Sequence, residues 1–263
     1  MSGHKVMIQI DLPNHSTVVS DFEAAKAVRA LQRQVSGDFA PAWGIDALLH
    51  FIPNSGECHP GHWQLPILDD SDQAGALGYH DLSSEGLPIG KVFAKTSVIN
   101  GTPWSRTASH EVLEMLADPT INLTVFIEQL ALLVAYENCD GPEHDRFGYE
   151  IDGIPVSDFV FPSWFENFWS PGATQFDFRR HVDRPLKILP GGYIGTYSIR
   201  DGNGWQQILG EQLVDGVIGS INASSRVLAS TVHFRGNRHA RAPIGSRRER
   251  RRTPVGQWLR STR

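Results

Sequence analysis

Apolar side chains recur at steps of three and four from Asp21 to Val35, at Phe22, Ala25, Val28, Leu31 and Val35, with Gln32 interleaved. That period predicts a helix, and Ser20 stands where an N-cap belongs. Alternation at Lys5–Asp11 predicts a first strand, and Trp43–Ile52 a second. Residues 53–88 are rich in Gly, Pro, Asp and Ser, which predicts a long irregular excursion. KVFAKTSVI, Lys91–Ile99, reads as a strand closed by the Asn100-Gly101 turn. Pro103–Thr107 leads into a helix over Ala108–Ala117. Asp118-Pro119 stops it, because a residue before proline is pushed out of the α region. Val125–Tyr136 is strongly apolar, and its period does not separate helix from strand. Beyond it lie strand and turn signals: Ile151-Asp-Gly, Val156–Phe161, Pro190-Gly-Gly before Tyr193–Ser198, and Trp205–Ile221. The mixture predicts an α+β domain with one central mixed sheet over residues 1–234.

Composition excludes several classes. The chain has 263 residues, 40% hydrophobic and 20% charged, which is the make-up of a globular protein and not of a fibrous or disordered one. No apolar run reaches the ~18 residues of a membrane span, and the first residues lack a secretory signal, so no membrane role is expected and the expected location is cytoplasmic or particle-associated. Two cysteines, Cys58 and Cys139, make no disulfide scaffold. The formal net charge of −5 hides an asymmetry. Residues 235–263 hold ten of the 24 Lys and Arg but one of the 29 Asp and Glu, so this stretch carries +9 against −14 for the rest. It reads as a basic, flexible tail, either solvated without a partner or able to bind polyanions nonspecifically through their phosphates, an acidic partner or its own acidic body.

The chemistry concentrates in Ser109-His-Glu-Val-Leu-Glu-Met-Leu-Ala-Asp118. On a wheel of about 100° per residue, with His110 at zero, Glu114 falls near 40°, Asp118 near 80° and Glu111 near 100°. Every ionisable group therefore shares one sector, and apolar residues fill the rest, which predicts a helix packed on most sides. Three carboxylates with no Lys or Arg repel one another, and a bound cation relieves the repulsion. The pattern is HExxE. His110 and Glu114, at i and i+4, take ligand positions for a metal, and Glu111 takes the general-base position. A carboxylate at i+4 is a legitimate zinc ligand but departs from the HExxH of metallopeptidases. Further ligands are sought after the apolar run, in Glu137-Asn-Cys-Asp140, then Glu143 and His144, with Asp118 as the alternative on the helix itself. Glu137 follows His110 by 27 residues. Thermolysin-like zincins present a third-ligand Glu at comparable spacing from a second helix, an arrangement that a helical Val125–Glu137 reproduces, while from a strand Glu137 or Asp140 still reaches the site at its end.

SHEVLEMLADP, YENCD, GIPVSDFVFPSWF and PGGY, with QRQVSGDFAPAWG and GYHDLSSEGLPIGKVF upstream, resemble a largely uncharacterised zincin-like family of bacterial and phage-associated proteins. Its signature is a SHExxExxxDP core with a later acidic ExxD. The resemblance covers roughly residues 20–210. It implies a zincin-like, metal-dependent protein, and the matching positions are His110, Glu111, Glu114, Asp118, Glu137 and Asp140.

Two lesser constellations stand apart. Cys58-His-Pro-Gly-His62 puts three soft donors in five residues around a turn, a candidate second metal site against the commoner outcome of solvated histidines. His80-Asp81 offers a His–carboxylate pair near the metal helix, as a transition-state donor or substrate contact, against the commoner outcome of a surface histidine. Gly191-Gly192 lacks the lysine of a phosphate loop, and no GxSxG is present. The sequence thus predicts a zinc-dependent hydrolase acting on a peptide or protein, with Glu111 as base, His110 and Glu114 as ligands, and Glu137, Asp140 or Asp118 completing the set. Ca²⁺ and Mn²⁺ are the alternative metals. The alternative function is a noncatalytic metal-binding structural or assembly protein, of phage or particle, anchored by its Arg-rich tail.

Overall fold

A computed structural model describes residues 7–210 apart from Ala74, Asn167 and Phe168. The basic stretch 235–263 and the end of the expected Trp205–Ile221 element lie outside the described residues. In chain order the elements are β1 (Ile8–Pro13), α1 (Asp21–Arg33), α2 (Ala40–Trp43), β2 (Ala47–Ile52), β3 (Trp63–Gln64), β4 (Ile67–Leu68), β5 (Gly78–Leu82), β6 (Pro88–Phe93), α3 (Ala94–Ile99), α4 (Trp104–Ala117), β7 (Thr124–Ile127), β8 (Leu132–Ala135), β9 (Tyr149–Ile151), β10 (Ile154–Val156), β11 (Tyr193–Ser198) and β12 (Trp205–Leu209). This is an α+β mixture, as expected. The sequence suggests a single domain over 1–234, whereas the described residues gather into two compact units. One takes in those within Met1–Thr120 and Gly148–Ser157, and the other those within Ile121–Phe147 and Asp158–Arg263.

The first unit is built on a mixed sheet. Its strands run β2-β1-β3-β6-β4, all parallel, with β5 antiparallel on β6. Parallel neighbours need a crossover, and α1 supplies it between β1 and β2. Ser20 caps α1 as expected and forms a capping box with Glu23, whose carboxylate accepts the Ser20 N–H at 2.9 Å. The buried stripe of α1 is Ala24, Ala27, Val28, Ala30 and Leu31. Phe22, expected on that stripe, is 76% exposed. A π-helical stretch, Gln34–Phe39, follows α1 and buries the Gln34 side chain. Three sequence expectations change. The excursion 53–88 contains β3, β4 and β5, each held by a long-range partner. Lys91–Ile99 is not one strand: β6 ends at Phe93 and α3 begins at Ala94, with Ser97 Oγ donating back to the Phe93 carbonyl at 2.8 Å. The helix over Ala108–Ala117 starts earlier, at Trp104, and ends at Asp118 as expected.

Two glycines set how near α4 lies to the sheet. A Cβ at Gly78 on β5 meets Thr107 Cγ2 at 2.6 Å and Glu111 Oε1 at 2.9 Å, and a Cβ at Gly90 on β6 meets Met115 Sδ at 3.1 Å. Neither site has room for a methyl group, so the absence of a side chain is what permits this approach. The chain then returns at Gly148–Ser157 with the β9–β10 hairpin, turned by Asp152 and Gly153 at positive φ.

The second unit carries a four-stranded antiparallel sheet, β12-β11-β8-β7. Val125–Tyr136 is therefore a hairpin, with Ala131 in the left-handed region at its turn, and not the second helix on which the zincin comparison places Glu137. Pro190-Gly-Gly turns as expected. A Cβ at Gly192 meets the Asp140 carbonyl at 2.7 Å, so the loop after β8 packs directly on glycine backbone.

Candidate metal centre on α4

Every residue of α4 from Thr107 to Ala117 is buried, which fits the single narrow polar sector. That sector faces β5. His80 and Gly78 stand two residues apart on β5 and share a face, so the strand that makes room at Gly78 presents His80 to the helix. His80 Nδ1 lies 3.1 Å from Glu111 Oε2 and 3.5 Å from Glu114 Oε2, and His110 Nε2 lies 3.4 Å from the same Glu114 oxygen. Glu114 is thus approached by two imidazoles. The most accessible of the four residues, His110, is 9% exposed. Zinc–ligand bonds of about 2.0–2.1 Å set tetrahedral ligands about 3.3 Å apart, close to both Glu114 distances. The His80–carboxylate pair anticipated from sequence is present, and its partner is Glu111 in place of the adjacent Asp81.

Asp118 is the C-cap residue of α4, fully buried, and its N–H donates to the Glu114 carbonyl at 2.8 Å. It joins none of the three-ligand groupings found among the described residues. Glu137 and Asp140 belong to the second unit, on the segment after β8, and both are buried. The Asp140 carbonyl accepts the Tyr193 N–H at 3.0 Å, and Asn138 O accepts Val160 N–H at 2.7 Å. Of the neighbouring candidates, His144 is exposed, and its Nδ1 accepts the Arg146 N–H at 3.2 Å.

A buried polar network fixes α4 beside His110. Ser109 Oγ donates to Gln34 Oε1 at 2.6 Å and accepts Ser157 N–H at 3.0 Å. Gln34 Nε2 donates to Ser157 O at 2.8 Å and to Tyr149 Oη at 3.1 Å. The π-helical stretch and the returning chain both tie to the helix at this point.

Two further clusters complete the inventory. In the first unit Asp11 on β1 meets His59 and His62. Burial pushes the Asp11 carboxyl up, but hydrogen bonds from His62 and His59 outweigh it and hold it below its usual range. Cys58, expected as a soft ligand there, is outside the grouping, and burial together with the Asp11 charge pushes its thiol up. In the second unit Asp158 and Asp177 are fully buried, with His181 Nδ1 at 3.4 and 3.6 Å from their carboxylates. Burial first, and then the Asp177 charge, raise the Asp158 carboxyl to about 9. Sequence reasoning passed over Asp11 and this pair. An acid between Ile10 and Leu12 in an apolar strand is a readable signal. Asp158 lies within the apolar Val156–Phe161 stretch and carries the same signal, whereas Asp177, 19 residues further on, gives none.

Set against protein families, curated proteins and solved structures, the chain matches none.

Proposed function

We propose that the α4 centre holds a divalent cation, zinc first, and serves amide or peptide hydrolysis. The observation that carries this reading is the Glu114 carboxylate oxygen set 3.4 and 3.5 Å from two imidazole nitrogens, with Glu111 3.1 Å from one of them. Zinc takes imidazole and carboxylate ligands, and His110 and Glu114 are the helix ligands, while His80 falls in a different grouping from His110. Zinc held there supplies Lewis acidity and makes water nucleophilic near neutral pH. Glu111 takes the proton of the attacking water and delivers it to the leaving amine. His80 positions the Glu111 carboxylate. The HExxE spacing of His110, Glu111 and Glu114 supports the same assignment.

The test is elemental analysis of the purified chain beside E114A and E111Q, with a peptide-library screen. E114A should lower zinc by about one ion per chain, and E111Q should keep its zinc and lose turnover. E114A with unchanged zinc overturns the site, and E111Q with unchanged turnover removes Glu111 from the mechanism. The sequence also offers Glu137, Asp140 and Asp118 as ligands. E137Q, D140N and D118N examine them singly, and unchanged zinc strikes that residue from the set.

One observation favours a second reading, a noncatalytic metal site. His80, His110, Glu111 and Glu114 are all buried, whereas a catalytic metal keeps an open position. Zinc retained through the screen with no hydrolysis of any peptide selects it.

A further inference from the structure

We infer that the first unit carries a separate transition-metal site, made by Asp11, His59 and His62. His59-Pro60-Gly61-His62 has proline at its second position and Gly61 at φ +80°, and His62 N–H donates to the His59 carbonyl at 3.2 Å. These are the marks of a type II turn, which needs glycine at its third position. The turn sets the two imidazoles side by side, ring centroids 4.7 Å apart. Both present Nδ1 to one carboxylate. His62 Nδ1 lies 2.9 Å from Asp11 Oδ1, and His59 Nδ1 lies 3.1 Å from each Asp11 oxygen. Asp11 Oδ2 also accepts the His59 backbone N–H at 2.6 Å, so the loop is registered on the strand before any metal arrives.

The arrangement has the parts of a metal site rather than of a surface ion pair. The Asp11 carboxylate is 0% exposed, while the His62 and His59 side chains are 21% and 53% exposed, giving an anionic floor under two ligands that reach solvent. The three donor atoms lie within 4.8 Å of one another. The carboxylate–imidazole separations of 2.9–3.1 Å approach the ~3.3 Å edge of a tetrahedral zinc centre, so a small opening of the loop admits the ion. Asp11 pairs in register with His50 on β2, whose ring sits 5.3 Å from that of His62 and 5.6 Å from that of His59. His50 Nε2 is held by Gln9 Oε1 at 2.5 Å, so this third ring backs the two ligands. Two histidines and one carboxylate on one side of an ion leave positions open to solvent, the pattern of borderline divalent metals: Zn²⁺, Fe²⁺ and Co²⁺. This chemistry is independent of the α4 centre.

The experiment uses the full chain, stripped with chelator and titrated with Co²⁺, which reports tetrahedral coordination by visible absorbance. The chains are the wild type, H59A, H62A, E114A and E114A/H62A, each checked by circular dichroism. E114A, which disables the α4 centre, should still take up one Co²⁺. H62A and H59A should each weaken that ion more than ~100-fold, beyond the 10–100-fold that loss of an outer-shell partner brings. E114A/H62A should bind none with measurable affinity. The proposal is overturned if H62A binds cobalt with the stoichiometry and affinity of the wild type, or if folded E114A and E114A/H62A bind alike. If E114A does not fold, the wild type against H62A decides alone. If the α4 centre holds no metal, E114A matches the wild type and the H62A comparison still stands.

Discussion

Replacing Ser109 by alanine removes one oxygen from the network beside His110, and the structure sets the size of the effect. The hydroxyl makes two bonds, to Gln34 Oε1 at 2.6 Å and from Ser157 N–H at 3.0 Å. Gln34, Ser109 and Ser157 are all buried, so water does not readily replace it. An unsatisfied buried polar group costs about 1–3 kcal/mol, and S109A strips a partner from two of them. Shared relaxation brings the total to about 2–4 kcal/mol, a large part of the ~5–15 kcal/mol that holds a domain folded. The assay is urea unfolding followed by far-UV circular dichroism. S109A should lower the midpoint with the slope unchanged. Ser36 is the control, since its hydroxyl bonds Asp46 at 2.9 Å on the exposed side of the same region. S36A should fall within about 0.5 kcal/mol of the wild type. If S109A does as well, the network contributes nothing and the reasoning fails.

Other outcomes follow from contacts already described. G78A drives a methyl group against Thr107 and Glu111, so it should destabilise by about 1–3 kcal/mol in thermal melts and reduce zinc uptake together. A melt unchanged from the wild type contradicts the close approach. G192A presses on the Asp140 carbonyl and should also lower the melting temperature. For Asp158 the folded carboxyl titrates near 9 against an ordinary value of 3.8, so the folded chain keeps a proton that the unfolded chain gives up. Its contribution to stability is fully present below pH 4 and is lost as pH rises toward 9. D158N, which mimics the protonated acid, should flatten urea midpoints plotted from pH 5 to 9. Parallel curves for the two proteins would falsify the shift.

The legible parts of this sequence are those that local chemistry decides. Ser20 and Glu23 form a capping box that needs no tertiary help, and α1 starts where they place it. The narrow polar sector of α4 marked its burial, and it gathers His110, Glu111 and Glu114 beside His80. What escaped was settled at long range. β3 and β4 are two residues each and exist through their neighbours in the sheet. Lys91–Ile99 holds four β-branched residues in nine, yet its second half coils into α3, with Ser97 and Asn100 side chains bonded to the Phe93 and Thr96 carbonyls. The β7–β8 hairpin turns on Ala131 at φ +51°, a residue that carries no turn signal. Asp11 was visible as an acid in an apolar strand, but its meeting with His59 and His62 depended on which strand the loop would cross.

The first unit leaves the chain's path at Thr120 and is completed only at Ser157. On a ribosome adding ~5–20 residues per second, the 37 residues between them take about 2–7 seconds. During that interval the chain lacks the β9–β10 hairpin, and Gln34 and Ser109 have no Ser157 backbone to bond. The Ser109 face of α4, which lies away from the sector of His110, Glu114 and Glu111, is therefore synthesised before its Ser157 backbone partner.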